Sequence, residues 1–141
     1  MEVRVPQIED IDVGFTRSLT VQVTDKMVRQ FADLSGDHNL IHLDDEFAKT
    51  TRFKRRIAHG MIAGALISRT LVECIGTGGI YLSQNMKFVN PVFIDDTIII
   101  TLKVIGIRKE KGIATIETNV TKENGDMVVK GEAIIMMGKA V

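Results

Sequence analysis

Met61-Ile-Ala-Gly-Ala-Leu-Ile-Ser-Arg-Thr-Leu-Val-Glu-Cys-Ile75 is the stretch that decides the fold. It is apolar around most of its circumference, so as a helix it must be enclosed on most sides. His59-Gly60 opens the run, and Gly76, Gly78 and Gly79 end it. Everything beyond Gly79 reads as strand: 80–89, 97–107, 113–122 and 127–137. The segments Lys109-Glu-Lys-Gly112 and Glu123-Asn-Gly-Asp126 are hairpin turns, with Asn124-Gly125 the favoured type I′ pair. Upstream, residues 13–23 alternate loosely and are rich in Thr and Val, a first strand. Thr24-Asp25 offers a helix N-cap, with Met27, Val28, Phe31 and Leu34 on one face and Ser35-Gly36 as the stop. Residues 37–57 hold no sustained period; a second short helix begins at Asp44 or Asp45, with Phe47 and Ala48 facing inward. The economical solution is one α+β domain over residues 1–141, an antiparallel sheet curled around the long central helix.

Composition narrows the function. The chain has 141 residues, with 18 Lys plus Arg against 18 Asp plus Glu. No global charge therefore draws it to nucleic acid or to an acidic membrane. An anionic ligand has to be met by a local patch. Arg52, Lys54, Arg55 and Arg56 form that patch, and Arg55 and Arg56 are the candidate phosphate-facing cations. The single Cys74 cannot close an internal disulfide, which points to a reduced, cytoplasmic setting and to a buried structural role. Met1-Glu-Val-Arg-Val-Pro-Gln opens polar and mixed, without the pattern of a signal peptide. The longest apolar run, 61–67, falls far short of the roughly 20 residues that cross a bilayer.

The chemistry concentrates in Phe31-Ala-Asp-Leu-Ser-Gly-Asp37-His38-Asn39-Leu-Ile-His42 and in His59-Gly60-Met61. Asp37 and His42 place a carboxylate and an imidazole five residues apart, in a segment too rich in Gly, Asp and Asn to continue as helix. Asn39 and Gly36 give the backbone options that let both side chains meet in one pocket. Such a pair can hold a water, take its proton and return one to carbon. Gly60 opens the long helix, where unpaired N–H groups carry the positive end of the dipole and where a ligand carbonyl can approach. Gly60, Gly64 and Ser68 recur every four residues on one small face, and Ser68 is the candidate hydroxyl reaching toward the catalytic carboxylate. His38 and His42 have metal-like spacing beside Asp37. The helix-breaking 36–39 segment and the missing Glu of an HExxH motif argue against a metal, and no cofactor is expected.

Ser35-Gly36-Asp37-His38-Asn39-Leu40-Ile41-His42, with Ala48 at the small position beyond it, resembles the hydratase 2 motif of MaoC-like, (R)-specific enoyl-CoA hydratases. The likeness continues through Phe53, Ile57-Ala-His59-Gly60-Met61, Ile80-Tyr81-Leu-Ser-Gln, Phe88, Pro91-Val-Phe93 and Gly131-Glu132-Ala133. The element order likewise is similar to that of the hot-dog fold. The resemblance implies a homodimer that reversibly hydrates trans-2-enoyl-CoA to (R)-3-hydroxyacyl-CoA, with coenzyme A only as part of the substrate. It implies that Asp37 and His42 hold the water, that the Gly60 N–H binds the thioester carbonyl, and that Ser68 supports them. Asn39, His59, Met61, Arg55 and Arg56 are the accompanying substrate-binding candidates. Leu40 and Arg56 stand where proline is common in that family, and both changes are expected to loosen the loop. The alternatives in the same fold are a dehydratase of acyl-carrier-protein or CoA thioesters, a thioesterase, and an acyl-CoA binding module.

Overall fold

The computed structural model describes residues 6–137; the polar opening of the chain lies almost wholly outside them. Five strands form one antiparallel sheet in the order β1-β3-β4-β5-β2: β1 (Thr16–Gln22), β2 (Ile80–Phe88), β3 (Thr97–Arg108), β4 (Ile113–Lys122) and β5 (Met127–Met136). The four strands expected beyond Gly79 are all present, to within a residue or so at each end. The long helix α4 runs Gly60–Cys74 and buries Ile62, Ala63, Leu66, Ile67, Thr70 and Leu71. Their side chains meet the inward-facing rows of the sheet, among them Ile98, Ile100, Leu102, Ile116, Val120 and Val129. This is the hot-dog arrangement.

Enclosure of α4 is less complete than its composition implies. Met61 and Val72 are both more than half exposed, so one face of the helix stays open in the single chain. The small face closes on the edge strand instead. A Cβ at Gly60 would stand 2.9 Å from the Phe88 ring, and one at Gly64 would stand 3.1 Å from Met86 Cε. Glycine at both positions lets β2 side chains lie directly on the helix backbone. Cys74 is half-buried at the far end of α4 and free.

Two local expectations are corrected. Asn124 does not take a positive φ, whereas Gly125 does, at 92°. Gly125 N–H donates to Lys122 O, and Lys122 N–H donates to Asp126 O, both at 2.9 Å. The β4–β5 connection is therefore a three-residue loop with a left-handed glycine, not a type I′ pair. The inward faces of the short helices also differ from expectation. In α1 (Asp25–Ser35) the buried residues are Val28 and Ala32, with Met27 and Phe31 packed beside them, and Leu34 is 85% exposed. In α3 (Asp45–Lys49) Ala48 is buried but Phe47 is 41% exposed.

Candidate active site

Residues 35–47 look irregular in sequence because their regularity lies in side-chain caps. Ser35 Oγ donates to Phe31 O and accepts from Asp37 N–H at 3.0 Å. Gly36, at φ 79°, turns the chain out of α1 in the left-handed conformation that glycine adopts freely. Asp37 Oδ1 then accepts from Asn39 N–H at 3.2 Å, Asn39 Oδ1 from Ile41 N–H at 3.3 Å, and Asp44 Oδ1 from Phe47 N–H at 3.0 Å. Each acceptor satisfies a backbone donor two or three residues on, so the chain turns without losing hydrogen bonds. Between these caps sits α2 (Leu40–Leu43), a single turn that the sequence reading did not separate. Asn39 is its N-cap, with the side-chain oxygen engaged on Ile41 N–H. Its position presents His42 inward.

His42 is 8% exposed. Its Nδ1 lies 2.8 Å from Ile57 O, an atom that can only accept. The neutral ring thus carries its proton on Nδ1 and leaves Nε2 as a bare lone pair. His59, 3% exposed, stacks on His42 with ring centroids 3.9 Å apart, and Phe31 flanks its other contact at 4.9 Å. His59 Nε2 donates to Asp37 O at 2.9 Å, which ties the start of α4 to the turn after α1. His59 Nδ1 is buried without a hydrogen-bond partner. Donor atoms of Asp37, His42 and His59 all lie within 4.8 Å of one another. As a metal site this trio fits poorly, because the free His59 nitrogen, Nδ1, is sealed away and leaves only His42 Nε2 and the Asp37 carboxylate within reach. His38 is exposed and takes no part in it.

Burial is the largest influence on His42 and holds it below the usual value of 6.5. The neighbouring His59 pushes the same way, while the Ile57 carbonyl and the Asp37 carboxylate pull it back up. The ring is accordingly a neutral base near pH 7.

A cavity of about 400 Å³ opens beside this pair, lined by His42, His59, Gly60, Met61, Ile62 and Ala63 together with Phe88, Asn90, Pro91 and Val92. Among the described residues, Gly60 and Met61 N–H donate to no other group, since the first helical bond runs from Ile62 N–H to His59 O. Two unspent donors at the positive end of a 15-residue helix therefore stand in the cavity wall. Asp37 is exposed and does not line the cavity; it joins the site through His59 and through its own proximity to His42.

Several expected site residues lie elsewhere. Ser68 is exposed at a second, smaller cavity of about 150 Å³ with Leu71, Val72, Tyr81 and Ile135. Among the described residues it bonds no partner and is not joined to Asp37. The helix face it shares with Gly60 and Gly64 is turned to β2, and that geometry carries it away from the carboxylate. Arg55 lays its guanidinium on the Phe93 ring, 3.8 Å from the centroid. Arg56 is 9% exposed and does not line the cavity: it donates to Asp25 Oδ1 from Nη1 and Nη2 at 2.7 Å, to Asp45 Oδ1 from Nε at 3.0 Å, and to His42 O at 3.3 Å. Rather than loosening the loop, it clasps α1, α2 and α3 together. Arg52, which nothing in the sequence set apart from its neighbours, is the member of the basic cluster that lines the main cavity.

Residues 8–126 match the MaoC like domain family, and the chain belongs to it. It is 41% identical over 130 residues to the (R)-specific enoyl-CoA hydratase of Rhodospirillum rubrum, covering 92% of this chain and 90% of that one. It is 38% identical over 130 residues to the (R)-specific enoyl-CoA hydratase of Aeromonas caviae, covering 92% and 97%. The solved structure of R-hydratase PhaJ1 from Pseudomonas aeruginosa superposes with a TM-score of 0.90 at 38% identity, covering 94% of this chain and 86% of that chain.

Proposed function

We propose that this protein is an (R)-specific enoyl-CoA hydratase, adding water reversibly and syn across trans-2-enoyl-CoA to give (R)-3-hydroxyacyl-CoA. The observation that carries the reading is the meeting of the Asp37 carboxylate and the His42 ring within 4.8 Å, next to a helix start with free amides. A water between them donates one hydrogen to Asp37 and the other to His42 Nε2, which leaves its lone pair aimed at C3. As oxygen bonds C3, an O–H bond of the water breaks and its proton passes to the Asp37/His42 pair, while the C2–C3 π electrons move onto the thioester oxygen, where the Gly60 N–H and the helix dipole stabilise the enolate. The pair returns a proton to C2, so hydroxyl goes to C3 and hydrogen to C2. No cofactor takes part in these steps.

Spectrophotometric hydration of crotonyl-CoA with chiral analysis of the product tests the assignment, and the expected product is the (R) isomer. Thiol release without loss of the enoyl chromophore would instead identify a thioesterase, and binding without turnover would identify a sensing module. Because His42 must be neutral to accept a proton and burial favours that form, the acid limb of kcat/KM should have its midpoint below pH 6.5. The same reaction in reverse, on a carrier-protein thioester, is the competing assignment, and matched CoA and carrier-protein substrates separate the two.

The proposed unit is a homodimer. Strand β2 is an edge of the sheet with one side unpaired, and its Ile80, Leu82 and Phe88 are exposed alongside Met61 and Val72 of α4. An apolar edge of this kind is a liability unless it is covered, and a second copy covers it symmetrically. Light scattering should report a dimer for the wild type and a monomer for Val72→Arg combined with Leu82→Lys.

A further inference from the structure

We infer that Arg52 is the residue that recognises a phosphate of the thioester carrier, and so sets the preference for phosphorylated pantetheine over bare thioesters; this rests on the hydratase reading. The four cations at 52–56 have separate fates. Arg56 is spent on Asp25 and Asp45, Arg55 lies against Phe93, and Lys54 is exposed away from the cavity at a positive φ of 65°. Arg52 is both exposed and part of the cavity lining, which places it at the rim. Among the described residues it is paired with no carboxylate, and its one ring contact is with Phe53, 4.8 Å away and also part of the lining. Among the described residues, no Asp or Glu lines the cavity, and apart from its two histidines Arg52 is the only ionisable side chain that does.

These facts together point to an anion. An unpaired guanidinium at the rim of an apolar cavity that His42 and Gly60 also line suits a ligand whose reacting end is neutral and whose far end is charged. An acyl-pantetheine phosphate has that distribution. The cation is not needed for the chemistry, because it is the His42 and Gly60 region that meets the acyl group. Its effect belongs in binding, shared by ground state and transition state, and therefore in KM rather than kcat.

The experiment compares wild type, Arg52→Gln and, as a control for general charge, Lys54→Gln at low ionic strength. Calorimetric titrations use coenzyme A, 4′-phosphopantetheine and pantetheine, and kinetics use crotonyl-CoA and crotonyl-pantetheine. Arg52→Gln should weaken coenzyme A binding roughly tenfold, leave pantetheine unchanged, raise the KM for crotonyl-CoA by a similar factor at constant kcat, and flatten its dependence on salt. Loss on phosphopantetheine as well assigns the contact to the phosphate common to CoA and carrier-protein arms. Loss on coenzyme A alone assigns it to the nucleotide's phosphates. Equal coenzyme A affinity in wild type and variant, an equal loss on pantetheine, or an equal loss in Lys54→Gln would overturn the inference. A wild type that turns over neither thioester would refute the hydratase reading, while the titrations would still decide Arg52.

Discussion

Asp37→Asn and His42→Asn should each slow crotonyl-CoA hydration by roughly 10²–10⁴-fold, the range for losing a positioned acid–base group, with the melting temperature nearly unchanged. Both substitutions are chosen to spare local structure. An asparagine at 37 keeps an oxygen where Oδ1 accepts from Asn39 N–H. It removes only the charge and the second acceptor. At 42 an asparagine retains an N–H donor near the place of Nδ1, so the bond to Ile57 O can persist while the Nε2 lone pair disappears. If one water is shared by both groups, the double variant should be little slower than the slower single one, since either loss already leaves that water misheld. Full multiplicative loss would mean that the two act on different steps. Turnover within a few-fold of wild type from either single variant would remove that residue from the proposed mechanism.

How much of this was legible in the sequence follows from how local each cause is. The strands beyond Gly79 and helix α4 announce themselves because alternation and uniform apolarity are properties of a residue and its near neighbours. Asp37 and His42 were legible for a similar reason: Gly36, Asn39 and the two functional groups share one short segment, and the caps that shape it span two or three residues each. What failed was direction. Leu34 and Phe47 were placed inward on hydropathy alone, although Ala32 and Ala48 fill those positions at closer quarters. Ser68 shares its small helical face with Gly60 and Gly64, a spacing legible in the sequence, but the direction of that face is set by β2 resting on it. The basic cluster was read as one patch, and its members diverge because their partners come from distant parts of the chain. Asp25 lies 31 residues from Arg56, and Phe93 lies 38 from Arg55. No windowed reading reaches that far.

Arg56→Ala should cost roughly 2–3 kcal/mol of stability and reduce kcat several-fold, with the KM for crotonyl-CoA little changed. The guanidinium is buried and makes charge-assisted bonds to two carboxylates, a geometry in which arginine's fork has no lysine equivalent. The estimate stays below that for a fully buried pair because the Asp25 and Asp45 side chains are 42% and 78% exposed and can rehydrate once the cation is gone. Most of the loss should therefore come from the Asp25 bonds and from the space the side chain leaves. The kinetic effect has a separate cause. Arg56 Nη1 donates to His42 O and ties α2 to α1, so without it the His42 ring is fixed only by Ile57 O and the stack on His59. Arg56→Lys should recover part of the stability through a single bond to Asp25, but less of the kcat, because one ammonium cannot hold two helices and a carbonyl at once. A rise in KM at unchanged kcat and melting temperature would show that Arg56 meets substrate phosphate after all, and would contradict the clasp.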